Sequence, residues 1–122
     1  MSNLDALASE QFCYLTTRGR RTGNDHTIEI WFAKNPERRI IYMLAGGGER
    51  SDWVRNIQQS EAVTVKIGGT TFKGWGRLVN EPEEEVLARS LVVAKYYGRS
   101  QVRATGWEAE ALPVAIDLET QG

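Results

Sequence analysis

Hydrophobic and polar positions along the chain follow two rhythms. Residues 11–17 alternate, with Phe12, Tyr14 and Thr16 set against Cys13 and Leu15, and this period of two predicts a strand. Residues 27–33 are rich in β-branched and aromatic side chains and predict a second strand, in which Glu29 and Trp31 alternate with Ile28 and Ile30. The turn signal Asn35-Pro36-Glu37-Arg38 separates it from a third strand, residues 39–44, so the two are expected to form a hairpin. Residues 62–67 and 70–79 read as a fourth and fifth strand joined by Gly68-Gly69, a pair suited to a tight turn. A last strand spans residues 112–118, with Pro113 near its start, where a missing amide is tolerated.

The helical rhythm appears between these strands. Residues 2–10 predict a short helix, capped by Ser2 or Asn3, with Leu4 and Leu7 on one face. Ser51 can cap a helix over residues 52–59, where the Asp52 carboxylate suits the positive end and Trp53, Asn56 and Ile57 share a face. Asn80-Glu81-Pro82-Glu83 predicts a longer helix, capped by Asn80 and running to Tyr97. Val86, Leu87, Leu91, Ala94 and Tyr97 would form its buried stripe, and Gly98 would end it. The sum is one mainly-β α+β domain of antiparallel hairpins with two or three helices, and a small barrel is the natural closure for its strands.

The bulk properties narrow the function. The 122 residues suffice for one core, and 41% hydrophobic and 25% charged content is ordinary for a globular protein. A net charge of −1 gives no global attraction to nucleic acid or an anionic membrane. A single cysteine, Cys13, excludes an internal disulfide, and a single histidine, His26, excludes a His-rich metal site. With no leader-like segment and no apolar run near the ~20 residues of a membrane span, the expected location is the cytoplasm. Neither a Ser/His/Asp set nor a Cys/His pair can be assembled, so any reactive group is expected to come from a cofactor.

Against this neutral background, one segment carries concentrated charge. Leu15-Thr16-Thr17-Arg18-Gly19-Arg20-Arg21-Thr22-Gly23 places three cations within four residues, bracketed by glycines and hydroxyls. Read as a solvated hairpin tip, it needs no ligand; read as an anion site, its Arg forks match phosphate or carboxylate oxygens and relieve their own repulsion. A second loop, Gly46-Gly47-Gly48, precedes the helix at Asp52. It is either a flexible connection or a place where backbone amides and a helix N-terminus approach a phosphate. Asn56 either ties down a loop or touches the ligand. His26 is either a further anion donor or a surface residue, Arg55 is best read as a solvated charge, and Trp31 and Trp53 either pack or flank a ring system. In Lys95-Tyr96-Tyr97, a phenol placed near a redox ring could donate a proton; the alternative is ordinary packing.

Taken in order, the basic loop, Gly47-Gly48, Trp53-Val54-Arg55-Asn56-Ile57 and Val63-Thr64-Val65-Lys66-Ile67-Gly68-Gly69 resemble the deazaflavin-dependent nitroreductase family. That family sits within the split β-barrel, FMN-binding superfamily that includes the pyridoxamine 5'-phosphate oxidases. The resemblance covers residues 12–79 and continues more loosely through Trp107 and Leu112-Pro113. It implies a split β-barrel that binds coenzyme F420, a deazaflavin, or in relatives FMN. The implied activity is hydride transfer to a quinone, nitroaromatic or activated alkene. Arg20 and Arg21 match the family's cationic pair for the phosphate and acidic tail, and Asn56 matches its helix asparagine. His26 stands where the family often has arginine, and Gly46 where it often has lysine. The expected cofactor contacts are Thr17, Arg18, Arg20, Arg21, His26, Ile28, Gly46, Gly47, Gly48, Trp53 and Asn56, with Tyr96 and Tyr97 as candidate proton donors. An FMN-dependent oxidoreductase and a non-catalytic flavin- or lipophile-binding module are the alternatives. The sequence leaves the oligomeric state open between a monomer and a homodimer in which a second subunit would cover the pocket.

Overall fold

The structure, a computed structural model, describes residues 3–98 and 107–120. Seven strands make one antiparallel sheet: β1 (Cys13–Arg18), β2 (Asp25–Ile30), β3 (Ala33–Lys34), β4 (Ile40–Ala45), β5 (Ala62–Ile67), β6 (Thr70–Leu78) and β7 (Leu112–Leu118). Their order is β2-β1-β5-β6-β7-β4-β3. Four α-helices accompany them among the described residues: α1 (Asn3–Leu7), α2 (Asp52–Gln59), α3 (Pro82–Tyr97) and α4 (Trp107–Glu110).

The strand order dictates the curvature. β2 and β3 are opposite edges of the sheet, yet only Trp31 and Phe32 lie between them. Three virtual bonds reach at most ~11 Å, whereas a flat seven-stranded sheet is ~29 Å across. The sheet therefore curls until its edges approach, giving a split barrel. Its interior holds Cys13, Leu15, Ile41, Met43, Val65, Phe72 and Ile116, with Val54 and Ile57 of α2 closing the packing.

The covered faces explain the strand sequences. β1 follows an alternating burial pattern because one of its faces is open to solvent. β4 is apolar throughout because Ile41 and Met43 face the barrel interior while Tyr42 and Leu44 pack outward, in clusters that contain Val92 and Ala88 of α3. β6 carries Gly74 and Gly76 where its chain passes closest to its neighbours. A Cβ on Gly76 would lie 2.8 Å from Ile57 Cγ2, and one on Gly74 2.7 Å from the Asp117 carbonyl oxygen.

Several expected elements shift. The strand expected over residues 27–33 is broken, because Phe32 leaves the ladder. Its N–H donates to Tyr96 Oη at 3.0 Å and its carbonyl accepts from Lys95 Nζ at 2.9 Å, so the end of α3 takes the bonds a neighbouring strand would make. Consequently β2 pairs with β1, and the expected hairpin shrinks to β3 and β4, with β7 on the other side of β4. The first helix is shorter than expected, and its proposed cap Ser2 lies outside the described residues. α3 is capped at Glu81 rather than Asn80, since Pro82 at the first helical position holds the residue before it extended. α3 buries Ala88, Val92 and Val93, while Val86, Ala94 and Tyr97 are exposed. Ala88 lets the helix sit close against Tyr42 and Ala115, and this turns the larger Leu87 and Leu91 to the margin.

Away from the barrel's open end, Arg77 binds Glu84 through two nitrogens, at 2.7 and 2.9 Å, and Asp117 through Nε at 2.7 Å. Tyr42 Oη donates to Glu84 at 2.9 Å. The Arg77 guanidinium holds the Glu84 carboxyl below its usual range, against the opposing effect of burial. This cluster ties α3 to β6 and β7.

Candidate functional site

The basic loop leaves the barrel between β1 and β2. Gly19 N–H donates to the Asn24 carbonyl and Gly23 N–H to the Gly19 carbonyl, both at 2.8 Å, so the loop closes on itself. Gly23 has φ of +75°, a conformation that favours glycine. Gly19 has a different reason: a Cβ there would stand 2.6 Å from His26 Nε2, so the glycine makes room for the imidazole.

Strand parity then sorts the side chains. Thr17 pairs with His26 and Leu15 with Ile28 across β1 and β2, which puts Thr17, His26 and Ile28 on the inward side. Arg18, the next residue along, points the other way. It lines a separate recess of about 330 Å³ with Lys73 and Trp75 on the outer sheet face.

Helix α2 completes the site. Asn56, 3% exposed, is the central connector. Its Oδ1 accepts from the Arg20 backbone N–H at 3.2 Å and from Arg20 Nη1 at 3.0 Å, and its Nδ2 donates to Thr17 Oγ1 at 3.0 Å. A buried amide with both ends bonded fixes the loop onto the helix. Arg20 Nη2 also donates to Asp52 Oδ1 at 3.1 Å. Between loop and helix lies a cavity of about 520 Å³, open to solvent. Thr17, Arg20, Arg21, His26, Ile28, Trp53 and Asn56, all expected at a cofactor site, line it together.

The remaining expected residues lie elsewhere. Gly46, Gly47 and Gly48 do not line this cavity. Gly48 has φ of +59° and starts a 3-10 turn, and a Cβ on Gly47 would strike Ser51 Oγ at 2.7 Å, so chain geometry accounts for both. A Cβ on Gly46 would meet nothing within 4 Å. Tyr96 is a structural bolt: its hydroxyl contacts the Gln11 carbonyl at 2.8 Å as well as Phe32, and its ring stacks on Trp31 at 4.2 Å. Burial pushes its phenol up to about 12. Tyr97 accepts from Trp107 Nε1 at 2.8 Å, also away from the cavity. Burial likewise pushes the Cys13 thiol up to about 12, which keeps it protonated.

Gly19, Thr22, Thr27, Asp52 and Arg55 also line the cavity. Asp52 and Arg55 had local explanations, helix-start chemistry and a solvated helix charge, that concealed their position. The one available signal was their spacing around Trp53 and Asn56 at the start of α2. The resulting arrangement gathers arginines, an imidazole and hydroxyls beside an apolar wall of Ile28 and Trp53. It suits a ligand that is anionic at one end and flat at the other. No group of three His, Cys, Asp or Glu side chains is placed to hold a metal among the described residues, and no helix among them is long and apolar enough to cross a membrane.

The model of the F420H2-dependent quinone reductase family matches residues 5–119. Among solved structures, a conserved hypothetical protein from Mycobacterium tuberculosis is similar at 20% identity and a TM-score of 0.77, over 98% of this chain and 82% of that one. A pyridoxamine 5'-phosphate oxidase-like protein from Listeria innocua shares the split-barrel fold at 14% identity and a TM-score of 0.69, over 96% and 90%. An F420-H2 dependent reductase is similar at 19% identity and a TM-score of 0.67, over 89% and 94%. No curated protein sequence matches the chain.

Proposed function

The chain belongs to the F420H2-dependent quinone reductase family, and we propose that it passes a hydride from reduced F420 to a small electrophilic acceptor of the quinone class. It is an oxidoreductase with F420 as its cofactor; the acceptor and the residue assignments are the proposal. The observation that carries it is the cavity between the basic loop and α2, where cationic side chains meet an apolar wall.

The residues fit the group. Reduced F420 supplies the hydride when bound. Arg21 and Arg55, with His26, offer donors to the phosphate and acidic tail, and Arg20 presents a guanidinium already oriented by Asn56. Thr17 is held by Asn56, which fixes the floor of the cavity. Ile28 and Trp53 give the ring an apolar surface and reduce water access. Hydride transfer depends on orientation and water exclusion more than on an acid–base side chain, and this set of residues meets those needs without a nucleophile. Nitroaromatics and activated alkenes accept hydride by similar chemistry and belong in the same assay.

A second copy of the chain is the proposed partner. Tyr14 and Trp75, 46% and 45% exposed, stand on the outer face of β1, β5 and β6, where paired residues Lys66, Thr64, Lys73 and Ala62 continue the surface. Light scattering of the purified protein reads its mass directly.

The functional test is titration of the purified protein with F420 and with FMN, followed by oxidation of the reduced cofactor against quinone, nitroaromatic and alkene acceptors. F420 binding with quinone-dependent oxidation is the expected result. Tight FMN binding without F420 affinity reassigns the protein as a flavin oxidoreductase. F420 binding without turnover of any acceptor points to a carrier module.

A further inference from the structure

One acid lies among the cations of the cavity. Asp52 is the single carboxylate among its lining residues. Its Oδ1 accepts from Arg20 Nη2 at 3.1 Å, with 85% of the Asp52 side chain exposed against 20% of the Arg20 side chain. The opposite edge of the same guanidinium is held by the buried Asn56. Arg20 is therefore fixed on its inner side and paired on its outer side. Asp52 is also the first residue of α2, whose cap Ser51 makes no side-chain hydrogen bond to the first-turn amides. That helix end favours a negative charge, and the Asp52 carboxylate is the charge already there.

We infer that Asp52 is an internal competitor for the anion site: its carboxylate occupies the outer edge of Arg20 and the positive end of α2 until an anionic group of the ligand displaces it. The inference rests on the reading that this cavity takes the anionic part of F420. The pairing is easily exchanged because it is exposed to water on the Asp52 side. A singly charged ligand trades one ion pair for another and gains little. A ligand with several anionic groups also reaches Arg21, Arg55 and His26, which line the same cavity. Asp52 thereby weakens binding overall and biases the site toward multiply charged ligands.

The test compares the wild-type full chain with Asp52→Asn and Asp52→Glu. Binding of oxidised F420 is followed by fluorescence titration at low ionic strength, and the thermal response to inorganic pyrophosphate is measured alongside. Asp52→Asn is expected to bind F420 about three- to fivefold more tightly, with the gain fading above ~0.15 M salt, where the screening length falls to ~8 Å. Asp52→Glu keeps the competing charge and should stay near wild type. Unchanged or weaker F420 binding by Asp52→Asn, in protein that melts like wild type, overturns the inference. If no variant binds F420, the functional reading fails, and pyrophosphate decides the inference alone. A larger thermal response in Asp52→Asn upholds it, and an equal or smaller one overturns it. Asp52→Ser repeats each comparison without the amide, so that a helix-capping effect of asparagine is separated from the loss of charge.

Discussion

Replacing Asn56 with alanine tests whether the cavity is built by its connector. The substitution removes three hydrogen bonds, two accepted from Arg20 and one donated to Thr17. Each is worth about 1 kcal/mol net. Thr17, 1% exposed, would then keep a buried hydroxyl without its partner, whereas the Arg20 side lies nearer to solvent and water can replace the lost acceptor. Discounting the Arg20 end, the loss of stability is about 2–3 kcal/mol, or a drop of about 8–12 °C in melting temperature for a chain of this size. Asn56→Asp separates fold from binding. The carboxylate still accepts from Arg20, and the Thr17 hydroxyl can turn to donate, so stability should stay within about 1 kcal/mol of wild type. The added negative charge in the cavity should nevertheless weaken F420 binding. Differential scanning calorimetry and cofactor titration of the two variants provide the readouts. An Asn56→Ala protein that melts within about 2 °C of wild type refutes the claim that this amide holds the loop on α2.

Other consequences follow from particular contacts. Gly76→Ala places a methyl 2.8–2.9 Å from Ile57, and this overpacking should cost about 1–3 kcal/mol, seen as a lower urea midpoint at unchanged slope. Tyr96→Phe removes the hydroxyl that bridges Gln11 and Phe32 and should cost about 1–3 kcal/mol. Turnover per folded molecule should be retained, and a turnover loss beyond tenfold would return Tyr96 to the chemistry. The Glu84 carboxyl is held below its ordinary value of 4.5 mainly by Arg77. Between its folded value and 4.5 the unfolded chain binds more protons, so this stabilisation is complete above 4.5 and is lost as pH falls through the folded value. Glu84→Gln should flatten the acid limb of a stability-versus-pH curve, and an unchanged limb would show that Glu84 does not set it.

Much of the local structure was legible in the chain. The bounds of α2, β5 and β7 coincide with the segments read from periodicity. The barrel and the concentration of charge at Arg18-Gly19-Arg20-Arg21 were equally plain. The break at Phe32 was not, since Trp31, Phe32 and Ala33 continue the apolar run and only the arrival of Lys95 and Tyr96 from α3 diverts its backbone bonds. The face of α3 was misread for a related reason. Leu87 and Leu91 are larger apolar residues than Ala88, but the space above Tyr42 and Ala115 accepts the smaller side chain.

The cavity shows the same division. Residue types alone place arginines, glycines and hydroxyls in one loop and an asparagine on a nearby helix, the chemistry that the proposed anion site requires. Tertiary structure decides which of them line one cavity. Arg18 and Thr17 are adjacent in the chain, yet Thr17 reaches the cavity and bonds Asn56 while Arg18 lines only the outer recess. Asp52, ordinary helix-start chemistry in the sequence, becomes the partner of Arg20 across 32 residues. Periodicity specifies how neighbours alternate; only the pairing of strands and the docking of helices specifies which side of the alternation faces the cavity.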